Sequence, residues 1–144
     1  MNMIRFSIPR EKLEKVARDN LLDRFLLDFL AELSSRHPIR NPARVDVTRG
    51  DYDTAKRKVV YGNRCYGLVM NGRGIVSGRG VHGESASWTF YGAPRGIRLS
   101  AASVLDMRGG NNYLELHVRT EEPDREREIE TLAREVFDRI MLKA

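Results

Sequence analysis

Cysteine is nearly absent from this 144-residue chain. Cys65 stands alone, so no disulfide can form within the chain and no second thiolate is present to complete a zinc site. No apolar run approaches the roughly 20 residues that a bilayer-crossing helix needs. The opening MNMIRFSIPREKLEK is charged and amphipathic. It lacks the apolar stretch and small-residue cleavage site of a secretory signal, which predicts a cytoplasmic protein. Histidine is scarce as well. His37 precedes a proline, His82 lies among glycines and His117 falls in a strand-like run, and none has a metal-ligand or nucleophile-base spacing. These absences leave no catalytic residue, metal or cofactor to expect, and point to a protein that works by binding.

What the chain does have is the balance of an ordinary globular protein, 41% apolar and 31% charged, at a length suited to a single domain over 1–144. The net charge of +5 is unevenly spread. Residues 36–119 hold 14 Lys and Arg against 6 Asp and Glu, a balance of +8, while the flanks together carry −3. The basic charge therefore belongs to the middle, where it would attract nucleic acid, acidic peptide or an anionic membrane surface by counterion release and long-range steering.

Residues 1–36 read as helix in two pieces, with Pro9 tolerated in the first turn, a break near Asp19 and a second start near Asn20. Beyond the break, Leu22, Phe25, Leu26, Phe29, Leu30 and Leu33 fall on one helical stripe. His37 and Pro38 end it, because the residue before a proline avoids the α region. Over 43–119 the period changes to two. Ala86, Trp88 and Phe90 alternate with Ser87, Thr89 and Tyr91, which puts the Trp88 face toward the core. Leu114, Leu116 and Val118 oppose Glu115, His117 and Arg119 in the same way. From Pro123 to Ala144 a helical stripe returns with Ile129, Leu132, Ala133, Val136, Phe137 and Ile140. Glu130 to Arg134 and Glu135 to Arg139 are spaced as i, i+4 ion pairs on its polar face. Together these predict an α+β fold, a small antiparallel β-barrel or roll flanked by N- and C-terminal amphipathic helices.

The stretch NGRGIVSGRGVHG crowds five glycines between Gly72 and Gly83. A phosphate loop needs a helix directly after it, yet ESASWTFYG reads as another strand. Hairpin turns and bulges are the expectation, with Arg73 and Arg79 as residues of a loop able to contact an anion. Arginines also interleave with aromatics in YGNRCYG and SWTFYGAPRGIR, a composition that suits stacking on unpaired bases.

The stretch FYGAPRGIRLSAASV, Phe90 to Val104, resembles the late β segment of the stringent starvation protein B family. These adaptors deliver tagged proteins to a AAA+ protease. The helical stripe Leu22 to Leu33 followed by VDVT at Val45 to Thr48 looks like that family's opening helix and first strand. Tyr91 stands where the family favours glycine and Ser100 where it favours proline, and a terminal helix replaces its acidic linker. The resemblance implies an Sm-like barrel, homodimeric through its N-terminal helix, that holds an extended peptide against the sheet. The matching positions for a peptide site are Trp88, Phe90, Gly92 and Pro94, with Tyr66 and Val69 as walls.

Strands closed by a C-terminal amphipathic helix also look like a pleckstrin-homology-type barrel. Finally, VVYGN near Tyr61, Tyr91 and Glu115 in YLELHV resemble elements of ADP-ribosyltransferase-like folds. That reading implies a glutamate at Glu115 orienting the nicotinamide ribose and a Tyr61 segment holding the nicotinamide.

Overall fold

The computed structural model describes residues 2–36, 52–53, 58–59, 67–78, 81–91, 96–106 and 110–144. Strand β1 spans Asn2–Ser7, a short 3-10 turn Arg10–Lys12, helix α1 Leu13–Arg18 and helix α2 Leu21–Arg36. Two-residue strands β2 (Tyr52–Asp53) and β3 (Lys58–Val59) pair with each other in a separate small sheet. Then come β4 (Gly67–Gly78), β5 (Val81–Tyr91), β6 (Arg98–Asp106), β7 (Tyr113–Arg119) and helix α3 (Pro123–Met141).

The opening segment departs from the expectation of helix over residues 1–36. Its first residues alternate, with Ile4, Phe6 and Ile8 buried and Met3, Arg5 and Ser7 exposed, which is the period of a strand. Its partner lies more than 100 residues away: β1 runs antiparallel to β7 from Asn2↔Val118 to Ser7↔Tyr113. The Ile8 amide extends the pairing by donating to the Asn112 carbonyl at 2.9 Å. Pro9 then ends the ladder and opens the 3-10 turn, its carbonyl accepting from the Lys12 amide at 3.0 Å. The expected break between the two helical pieces is present. Asn20 takes a left-handed φ of 52°, a conformation asparagine tolerates better than most residues, and its carbonyl accepts the first α2 bond from Arg24 at 3.1 Å.

The main sheet has five strands in the order β1-β7-β6-β5-β4. All neighbours are antiparallel. The expected α+β class and antiparallel sheet are present, but not closure into a barrel: among the described residues β1 and β4 stand at opposite ends and do not pair. The glycine-rich stretch folds as the β4–β5 hairpin, with a bulge at Asn71 where the register slips between Met70 and Gly72. Gly83 is where β5 joins β6, and a Cβ there would sit 1.8 Å from the Leu105 carbonyl oxygen. Only glycine permits that approach.

Helices α2 and α3 pack on one face of the sheet. The stripe of α2 and that of α3 are both buried in a single core with Ile4, Leu99, Leu116 and Val118 of the strands. All five phenylalanines of the chain join this core as one connected group. Phe6 stacks on Phe137 with centroids 4.5 Å apart, Phe25 meets Phe6 and Phe137 edge-on at 5.4 and 5.3 Å, and Phe29 links Phe25 to Phe90. Strand, helix and helix are thereby tied at a point none could close alone. On the helix surfaces Arg134 pairs with Glu130 at 3.0 Å as expected. Arg139 does not bond Glu135; it reaches across to α2 and grips Glu32 with two nitrogens at 2.5 and 3.5 Å. Lys12 meanwhile donates to the Met141 carbonyl at 2.7 Å, satisfying a group left open at the end of α3. No described helix is long and apolar enough to cross a membrane.

Candidate binding face

With α2 and α3 packed on one side of the sheet, the alternate residues of its strands point to the other. The side chains there follow from alternation and register. Ser100 of β6 stands between Thr89 of β5 and His117 of β7. The next row runs Ser87, Ala102, Glu115 and Arg5, and the one after it Ser85, Val104, Tyr113 and Ser7. The half of the face on β5 and β6 is thus paved with small side chains, while β7 carries taller ones. Gly72 and Gly74, both exposed, continue the low side onto β4, and the Ser85 hydroxyl leans to within 3.3 Å of where a Gly74 Cβ would be.

The tall side is an ion-pair cluster. Arg5 binds one oxygen of Glu115, and His117 Nε2 lies 3.3 Å from the other. The Arg5 guanidinium also sits 4.2 Å from the centre of the Tyr113 ring, a cation-π arrangement. The Glu115 carboxyl is held below its ordinary range, chiefly by the hydrogen bond from Arg5, with burial opposing and the His117 contact helping. Ser100 faces His117 across the ladder, but no hydrogen bond joins them, and both Glu115 oxygens are already engaged. That geometry does not make a nucleophile-base pair.

One end of the face differs from the rest. Arg98 of β6 stands directly opposite Arg119 of β7; both are exposed, and neither forms an ion pair with a described carboxylate. Like charges directly opposite weaken a ladder, so this pair is a cost to the fold. Arg125 sits at the same end, 3.5 Å from where a Gly96 Cβ would be, with its Nε 3.2 Å from Glu122.

The sequence-based site residues scatter. Trp88 and Phe90, 3% and 7% exposed, lie in the core beneath the helices, so neither offers a peptide a wall. The alternation that turned the Trp88 face inward is the physical reason. Val69 pairs with Thr89 and Arg73 with Ala86 along the β4–β5 ladder. Tyr66, Gly92, Pro94 and Arg79 lie outside the described residues, as do Tyr61, Cys65 and His37. Glu115 is on the open face but committed to Arg5.

Two features went unread in the sequence. Asp23, in the first turn of α2, is buried and accepts a hydrogen bond from the Trp88 indole at 2.7 Å. Its place at the edge of an apolar stripe was the available signal. The hollow beside it, lined by Asn20, Asp23, Glu84 and Ser103 among others, measures about 20 Å³, room for about one water and too small for a ligand. The other is the Arg98–Arg119 pair, which needs the β6–β7 register to be seen. Among the described residues no group of three or more His, Cys, Asp or Glu could hold a metal ion. Comparison with protein-family models, with curated proteins and with solved structures finds no match to this chain.

Proposed function

We propose that the chain is a peptide-binding adaptor domain that receives an extended acidic segment of a partner protein on the open face of its sheet. The observation that carries this is the Arg98–Arg119 pair, two exposed guanidiniums facing each other with no described carboxylate between them. A fold tolerates such a pair at a cost, and an acidic ligand turns the cost into binding energy. The low floor of Ser87, Ala102 and Ser100 lets an extended chain lie close to the sheet, and its hydroxyls supply hydrogen bonds. The +8 balance of residues 36–119 adds steering toward an acidic partner.

The same arginines favour nucleic acid as a second reading, through phosphate contacts. Against it, β6 offers small side chains where a base would stack, and Tyr113 is covered by Arg5. The transferase reading fares worse, since Glu115 would have to leave both Arg5 and His117 before it could orient a ribose. Delivery of the bound protein to a AAA+ protease in the cytoplasm belongs to the proposal, as do the Sm-like or pleckstrin-homology-type closures that the resemblances imply. A homodimer through the N-terminal helix would have to use the polar flank of α2, because its apolar stripe is spent in the core.

The test is fluorescence anisotropy with a labelled glutamate-rich peptide and, in parallel, a single-stranded oligonucleotide. Peptide binding that weakens with salt and falls at least about tenfold in Arg98→Ala or Arg119→Ala supports the reading, each charge-assisted contact being worth ~1.5–3 kcal/mol. Preference for the oligonucleotide, or no loss in either variant, overturns it.

A further inference from the structure

We infer that the group held between Arg98 and Arg119 is a phosphate monoester on the partner segment rather than a carboxylate. This rests on the acidic-peptide reading and names the chemistry of its anchor. Three donor side chains share one end of the open face: Arg98 and Ser100 alternate outward on β6, and Arg119 stands opposite Arg98 on β7. Cross-strand neighbours have Cβ atoms roughly 5 Å apart, so two guanidiniums rooted there can converge on one anion.

Charge decides which anion. Two positive charges without a described carboxylate partner are half-neutralised by a carboxylate and nearly fully by a phosphate monoester, which carries about −1.5 to −2 at neutral pH. The monoester's three free oxygens can accept from both guanidinium forks and from the Ser100 hydroxyl together, whereas a carboxylate has two.

The surroundings are compatible with a dianion. Glu115, two residues from His117 on the same face, is neutralised by Arg5 on the far side from the pair. Glu122, near the end of β7, is held by Arg125. Glu121, two residues beyond Arg119, is exposed and makes no bond to a described residue. His117, opposite Ser100, has its Nε2 turned to Glu115 and walls the site from the β1 side.

The experiment compares one glutamate-rich peptide carrying a single phosphoserine with the same peptide carrying glutamate there, by amide chemical-shift titration of the full chain. Inorganic phosphate serves as competitor. The inference expects at least tenfold tighter binding of the phosphopeptide, with the largest shifts at Arg98 to Ser100 and His117 to Arg119 and displacement by phosphate. Arg98→Lys, which keeps the charge but loses the fork, should cut the ratio of phosphopeptide to glutamate-peptide affinity several-fold, and an undiminished ratio overturns the phosphate anchor. Equal affinity for the two peptides at these residues overturns the phosphate anchor and leaves the acidic-peptide reading standing. Failure of both peptides to shift these residues overturns both.

Discussion

The Trp88 indole nitrogen donates to Asp23 Oδ1 at 2.7 Å, joining strand β5 to the first turn of α2 inside the core. Asp23 is 6% exposed and Trp88 3%. A buried carboxylate is costly unless it is bonded, and an orphaned indole N–H costs in turn. Asp23→Ala is therefore expected to lose about 2–3 kcal/mol and Trp88→Phe a comparable amount. In a double-mutant cycle by urea unfolding, the pair should show coupling of about 1–2 kcal/mol. Additive losses would mean that the bond contributes nothing beyond packing.

The phenylalanine group should dominate stability over the surface bridge between the same two helices. Phe25 touches Phe6, Phe29 and Phe137, so Phe25→Ala is expected to cost about 3–5 kcal/mol. Glu32→Ala removes an exposed pair and should cost less than about 1 kcal/mol. Denaturant midpoints of the two variants decide the order.

Gly83→Ala is expected to damage the sheet although it adds one methyl group. That methyl would fall 1.8 Å from a backbone oxygen of β6. Relief requires moving one strand against the other, at a cost of about 2–3 kcal/mol. Gly72→Ala, where a Cβ meets nothing within 4 Å, is the control and should be close to neutral in thermal unfolding.

The Arg5–Glu115 bridge gives stability a pH dependence of known sign. The Glu115 carboxyl titrates below its ordinary 4.5 in the folded chain, so the folded state favours the carboxylate. Its contribution is present above 4.5 and is lost as the pH falls through the lower folded value. Because Arg5 is half exposed, Glu115→Gln should cost under about 1 kcal/mol at neutral pH. The gap between variant and parent should close in acid, followed by urea unfolding across the pH range.

The helices were readable because their information is local. Period 3.6 in Leu22 to Leu33 and in Ile129 to Ile140 marks the buried stripes without reference to any partner. The break at Asn20 and the inward face of Trp88 are local as well. Strand β1 was not readable as such: charged neighbours and Pro9 gave a helix-like reading, and the β7 edge that makes Ile4 and Phe6 a strand lies more than 100 residues away. The candidate site failed to appear for the same reason. Alternation points Arg98 and Arg119 outward, but that they face each other depends on the β6–β7 register. The peptide site expected at Trp88 and Phe90 conflicted with that same alternation, which had already turned both inward.

On this reading a partner binds the sheet face turned away from α2 and α3, at its Arg98–Arg119 end. Amide shift mapping with a glutamate-rich peptide, repeated on an Arg98→Glu, Arg119→Glu variant, tests it most directly. Saturable shifts centred on residues 98–104 and 113–119 are expected, with small changes in α2 and α3 and loss of all of them in the variant. Shifts centred on the helices, or undiminished in the variant, would contradict it.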